Sequence, residues 1–199
     1  MKFRSTVLLL AFGLLLLGCG GAKYPLNGVW SGFIDGRGEE IKISIAFIDE
    51  FCFLSYETGN QTGCNKIKYV YEGGSGLNGS GILIISPVEK NQFFVKGNVF
   101  NFTYDDIPVV LNKDETTKAA PASINGIWKD LEDWDMLFVN DRAYFNRDGT
   151  TDYGIYAFNG KNGSFKSLNY KASIEFTING KILNTKINGY DQVFSRVKR

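Results

Sequence analysis

The sequence predicts an all-β protein built as two tandem antiparallel meanders, and three observations carry that expectation. The first is alternation. Ile41-Lys42-Ile43-Ser44-Ile45, Lys171 to Ile178 and Gln192 to Val197 place apolar and polar residues on opposite faces of an extended chain. The second is turn chemistry: Asp148-Gly149, Asn159-Gly160, Asn162-Gly163 and Asn179-Gly180 are two-residue hairpin signals between such runs. The third is an internal repeat, which sets the architecture.

In that repeat Asn27-Gly28-Val29-Trp30 returns as Asn125-Gly126-Ile127-Trp128. Phe47-Ile48-Asp49-Glu50 then parallels Phe138-Val139-Asn140-Asp141, and Phe53 falls opposite Tyr144. Tyr69-Val70-Tyr71 lies against Gly154-Ile155-Tyr156, and Phe93 to Phe100 against Phe176 to Leu183. Tyr104-Asp105 matches Tyr190-Asp191 before each last strand. Each copy accommodates about six to eight short strands. The segment 113–123 is polar, charged and Pro-containing and reads as a linker, so the first β module spans 24–112 and the second 124–199.

Ahead of the modules, Lys2 and Arg4 precede an apolar run from Val7 to Leu17, which ends in Leu16-Leu17-Gly18-Cys19. The run is a signal helix too short to span a bilayer. Leu16, an aliphatic, Gly18 and then Cys19 resemble the cleavage motif of bacterial lipoproteins; the alternatives are an ordinary signal peptide or a buried N-terminal helix. The resemblance implies removal of residues 1–18, a diacylglycerol thioether on Cys19 and a short lipidated tether over 19–23. Several acyl chains would make the membrane anchor effectively permanent, since each buried methylene contributes about 0.8 kcal/mol. With Gly20 rather than Asp after the cysteine, the implied address is the outer membrane of a bacterial envelope.

Lys+Arg and Asp+Glu number 22 and 21, and cleavage would remove Lys2 and Arg4, leaving a nearly neutral mature chain. That balance provides no footprint for nucleic acid; the cluster Arg196-Val197-Lys198-Arg199 reads as a disordered basic end. The 16 Phe, 10 Tyr and 3 Trp supply ample core. With Cys19 assigned to lipid, Cys52 and Cys64 remain as a pair, and export predicts a disulfide between them. Zinc is not expected, because the chain has no histidine and two thiolates make a poor tetrahedral shell.

Gly-x-Trp on a first strand, a meander, and a basic residue near the end of the last strand resemble the lipocalin-like, or calycin, barrels. The family implies a Trp lying across the closed end of each barrel with a cation from the final strand packed on it. Transferred here, Gly126 and Trp128 pair with Arg196, a contact of about 0.5–2 kcal/mol. In the first copy Gly28 and Trp30 fit, but the place of Arg196 falls on Leu111, with Lys113 the nearest cation. Thr151-Asp152-Tyr153-Gly154-Ile155-Tyr156 looks like a second lipocalin motif, but its spacing from either Trp is wrong and it reads as chance. Barrels with strands of about five residues are filled by their own side chains, so a ligand cavity is expected only if both halves build one large barrel.

Catalytic chemistry is sparse. A serine or cysteine nucleophile would lack its histidine base. Asp130, Glu132, Asp133 and Asp135 cluster around Trp134, but they lack the spacing of a calcium loop and read as a solvated acidic hairpin. The functional expectation is therefore a lipid-anchored, non-catalytic interaction module for an envelope or extracellular protein, without cofactor or metal. The alternatives are a carrier of a small hydrophobic molecule and, more remotely, a carboxylate glycan hydrolase. The Gly-rich segment Gly73 to Gly81 is the candidate contact loop.

Overall fold

A computed structural model describes residues 24–36, 38–59, 61–74, 76–104, 106–115, 120–132, 134–147, 149–168 and 173–197. The expected signal segment 1–18, Cys19 with its expected tether, part of the expected linker, Asp105, Asp133, Lys198 and Arg199 lie outside these residues.

The first barrel is β1 (Gly28–Asp35), β2 (Glu40–Ile48), β3 (Phe51–Glu57), β4 (Thr62–Tyr71), β5 (Asn78–Ile84), β6 (Lys90–Lys96), β7 (Val99–Tyr104) and β8 (Ile107–Lys113). The second is β9 (Gly126–Lys129), β10 (Asp135–Val139), β11 (Arg142–Arg147), β12 (Thr150–Phe158), β13 (Asn162–Ser167), β14 (Ser173–Asn179), β15 (Ile182–Ile187) and β16 (Tyr190–Arg196). Each set pairs antiparallel with its sequence neighbours, and the last strand pairs with the first, closing the barrel. These are two lipocalin-like barrels in tandem, not one barrel shared by both halves.

The Asn-Gly-x-Trp motif closes one end of each. Gly28 and Gly126 hold φ of 126° and 128°, values that L side chains rarely adopt, and the chain bends there to carry the indole inward. Trp30 Nε1 donates to the Leu26 carbonyl and Trp128 Nε1 to that of Ile124, each at 2.9 Å. Asn27 adds a clamp in the first copy: its Oδ1 accepts the Asp49 N–H at 2.9 Å, fixing the β2–β3 turn.

Both barrels close alike, which corrects the alignment of the last strands. Trp30 lies opposite Lys113, whose Nζ stands 5.4 Å from the indole centre; Trp128 lies opposite Arg196, whose guanidinium stands at 5.6 Å. Lys113, not Leu111, is therefore the counterpart of Arg196. Leu111 is fully buried in the first core, as Phe194 is in the second. Arg196 is no part of a disordered end, since its guanidinium also donates to the carbonyls of Ala122, at 2.7 Å, and Asn125.

Two further repeat matches slip. The ring of Tyr69 meets Phe47 edge-on at 4.9 Å and its hydroxyl donates to the Asp49 carbonyl; Tyr156 does the same with Phe138, at 5.1 Å, and Asn140. Tyr69 thus corresponds to Tyr156, two residues from the sequence match. Tyr104 ends β7 whereas Tyr190 opens β16, so those two are not equivalent.

Rings fill the interiors. Phe93, Phe47 and Trp30 pack around Phe100 at 4.6, 5.4 and 5.9 Å, and Phe138 meets Phe176 at 5.3 Å in the second barrel. Asn78 to Gly81, expected as loop, is the start of β5. A Cβ on Gly81 would meet both the Val70 carbonyl and the Phe93 ring, so glycine here lets the ring lie against the sheet.

The expected disulfide is absent: Cys52 and Cys64 are both free and buried. Register explains this. Cys52 lies opposite Ile67 and Cys64 opposite Ser55, so the thiols are offset by an odd number of residues and point to opposite faces of the β3–β4 ladder. Cys52 packs into the first core and Cys64 onto the outer wall, which no bridge geometry can span without breaking register.

Candidate functional site

Among the described residues, sixteen strands make two closed surfaces, and one wall of each is buried against the other. In most strands only one face is buried, but Ile45 to Ile48 on β2 and Asp135 to Val139 on β10 are buried on both. Phe47, Met136 and Phe138 face their own barrel's core, while Ala46, Ile48, Leu137 and Val139 face the other barrel. This wall-to-wall contact is a seam between the modules.

The seam has pseudo-two-fold symmetry. Ala46 lies opposite Phe53 across β2–β3, and Leu137 opposite Tyr144 across β10–β11, so Phe53 and Tyr144 are equivalent positions. They meet each other, with ring centres 4.7 Å apart. By the same registers Phe51 corresponds to Arg142, Lys66 to Tyr153, Val29 to Ile127 and Ser44 to Asp135. Two recesses flank the central ring pair. One is lined by Phe51, Phe53, Lys66, Ile127, Asp135 and Leu137; the other includes Arg142, Tyr144, Tyr153, Val29 and Ser44, the two-fold mates of the first five.

Their chemistry differs. In the first recess Lys66 pairs with Asp135 across the seam, Lys129 stands 3.6 Å from the other carboxylate oxygen, and the Lys66 ammonium lies 4.6 Å over the Phe51 ring. Asp135 is 2% exposed. In the second, Ser44 stands where Asp135 would be, and a cavity of about 20 Å³ opens, enough for about one water. Its rim carries Lys42 3.8 Å from Glu57, and Arg142 3.7 Å from Asp141. Burial, and next the charge of Glu57, push the Tyr153 hydroxyl well above its ordinary range; burial does the same to Tyr144. Both phenols are neutral, as an apolar seam requires. Burial likewise raises the Cys52 and Cys64 thiols, which keeps them inert.

Of the acidic cluster, Glu132 is exposed as expected and Asp133 lies outside the described residues, but Asp135 is buried. Asp130 Oδ1 accepts the N–H groups of Glu132 and Trp134 at 2.8 and 2.9 Å, whereas Asp135 belongs to the seam. Among the described residues no group of three or more His, Cys, Asp or Glu stands close enough to hold a metal ion. The stretch Thr151-Asp152-Tyr153 is buried, with Tyr153 in the seam. Gly28, Trp30, Gly126, Trp128 and Arg196 all serve barrel closure. Continuous apolar runs were the available sign of the seam: Ile45-Ala46-Phe47-Ile48 and Met136-Leu137-Phe138-Val139 lack the alternation of a strand with one wet face.

A second difference lies on the free walls. On the first barrel the cross-strand row Phe94, Asn101, Val110 continues toward exposed Phe33. The same row on the second barrel reads Thr177, Asn184, Val193. Val70 and Ile82, paired across β4–β5, are matched by Ala157 and Ser164. Phe33 is 61% and Phe94 54% exposed.

The fold and the Trp closures define a tandem pair of lipocalin-like β-barrels, a scaffold that offers packed interiors and outward-facing walls. The chain matches no family model and no curated protein sequence.

Proposed function

We propose that this protein is a bacterial envelope lipoprotein, anchored through Cys19 in the outer membrane, whose two barrels form a non-catalytic scaffold that binds a protein partner on the free wall of the first barrel. The observation that carries this reading is the contrast between equivalent positions: Phe94, Ile82 and Val70 are apolar and outward where Thr177, Ser164 and Ala157 stand in the second barrel. The apolar positions are interleaved with Asn101, Gln92 and Ser80, a mixture of ring, aliphatic and hydrogen-bonding groups that suits a protein surface. A small-hydrophobe carrier has less support, because interlocked rings occupy the barrel interiors.

The test is site-specific photocrosslinking in intact envelopes with the lipidated chain. A crosslinker at Phe94 should capture one protein of discrete mass, and one at Thr177 should capture none. Cys19→Ala should release the chain from the membrane fraction. Equal capture from both walls, capture of lipid alone, or no capture contradicts the partner assignment; membrane retention of Cys19→Ala contradicts the anchor.

A further inference from the structure

We infer that the seam wall is a self-recognition surface for modules of this type, a homodimer-like interface closed within one chain, whose proper partner is another barrel bearing the same wall. Three observations carry this. Equivalent residues meet on the axis, Phe53 against Tyr144 at 4.7 Å, which is the mark of an isologous interface in which one patch contacts its own copy. The recesses on either side are lined by two-fold mates, Lys66 with Tyr153, Asp135 with Ser44 and Phe51 with Arg142. The apolar contacts are matched in kind, with Val29 against the class of Ile127 and Ile48 against that of Val139.

The same comparison gives the pairing a preference. An ammonium from one wall and a carboxylate from the other, Lys66 and Asp135, meet only when the first barrel faces the second. Two first barrels would set Lys66 against Ser44, and two second barrels would set Asp135 against Tyr153. Like-with-like pairing is therefore permitted by shape and disfavoured by charge.

The experiment uses the full chain with Cys52→Ala and Cys64→Ser, a protease site inserted within 116–119, and both Phe53→Cys and Tyr144→Cys. After cleavage, gel filtration should return the two halves together at the mass of the uncut chain. Mild oxidation should then trap a dominant bridge between residues 53 and 144, with minor 53–53 and 144–144 species from partner exchange. Adding Asp135→Asn should increase the two like-with-like species at the expense of the mixed one. Separation of the halves on cleavage overturns the inference. So does a mixed bridge alone that Asp135→Asn leaves alone, since that describes two complementary walls rather than one self-recognising wall. The Cys19 anchor and the free wall of the first barrel are untouched by these changes, so the outcome is independent of the proposed partner.

Discussion

The two recesses beside the Phe53–Tyr144 contact occupy equivalent places and solve the same problem differently. One is sealed by a salt bridge whose carboxylate is almost wholly removed from water; the other keeps its charged groups at a solvated rim and leaves room at its floor. The difference follows from one pair of positions. Where β10 supplies Asp135, β2 supplies Ser44, and the side chain facing it changes from Lys66 to Tyr153. A duplicated wall thus became sided, and the charge that distinguishes the sides also makes the first barrel prefer the second.

Mutations that treat the recesses alike should have unlike effects. Lys66→Ala leaves Asp135 in the seam with Lys129 as its remaining cation, so the cost should approach but not reach the ~3–5 kcal/mol of an uncompensated buried charge. Lys42→Ala removes a partly solvated pair and should cost under about 1 kcal/mol. Urea denaturation of the two variants checks this, and equal losses would remove the distinction between the recesses.

Next in size are the Trp closures, where the barrels should behave alike. Gly28→Ala and Gly126→Ala each force a side chain into a φ near that of the parent glycine, and each should cost about 1–3 kcal/mol by thermal or urea unfolding. A large difference between them would show that one closure is dispensable. The cations above the indoles sharpen the comparison. Arg196→Met removes hydrogen bonds to two carbonyls besides the ring contact and should cost about 1–3 kcal/mol, whereas Lys113→Met loses the ring contact alone and should cost about 0.5–1 kcal/mol.

The smallest effects are chemical. Burial, followed by the charge of Asp141, pushes the Tyr156 hydroxyl up to about 12 from its ordinary 10.0. The unfolded chain releases this proton first as pH rises, so the stabilisation is complete below pH 10 and is lost toward pH 12. Tyr156→Phe should make the alkaline fall in stability shallower, and an unchanged slope would remove Tyr156 as a contributor. Thiol titration without reductant should find Cys52 and Cys64 unreactive in the folded chain and both reactive in denaturant. A pair that stays silent until reduced would mean a disulfide.

Much of the fold was legible because its signals are local. Asn159-Gly160, Asn179-Gly180 and the Asn-Gly-x-Trp repeat report backbone conformation directly, and Gly28 and Gly126 owe their presence to a φ no other residue adopts easily, whereas Asn162-Gly163, expected as a turn, lies inside β13. What depends on register was not legible. Cys52 and Cys64 have a spacing that suits a bridge, but the β3–β4 pairing turns them to opposite faces. Lys113 and Leu111 are two residues apart, and a two-residue shift preserves alternation, so the sequence pattern alone does not choose between them as the partner of Trp30. Asp135 looked solvated among acidic neighbours, and only the partner barrel supplies Lys66, distant in sequence. The seam was written in plain view as two unbroken apolar runs, but which surface they bury against is set by tertiary packing.

The most direct measurement is equilibrium urea unfolding followed separately in each barrel by the indole N–H resonances of Trp30 and Trp128, which need no substitution. A seam of two interlocked walls and a buried ion pair predicts coincident transitions, with the two reporters separating when Lys66→Ala is added. Two transitions at different urea concentrations in the otherwise unaltered chain would contradict the seam as the element that makes the two barrels one body.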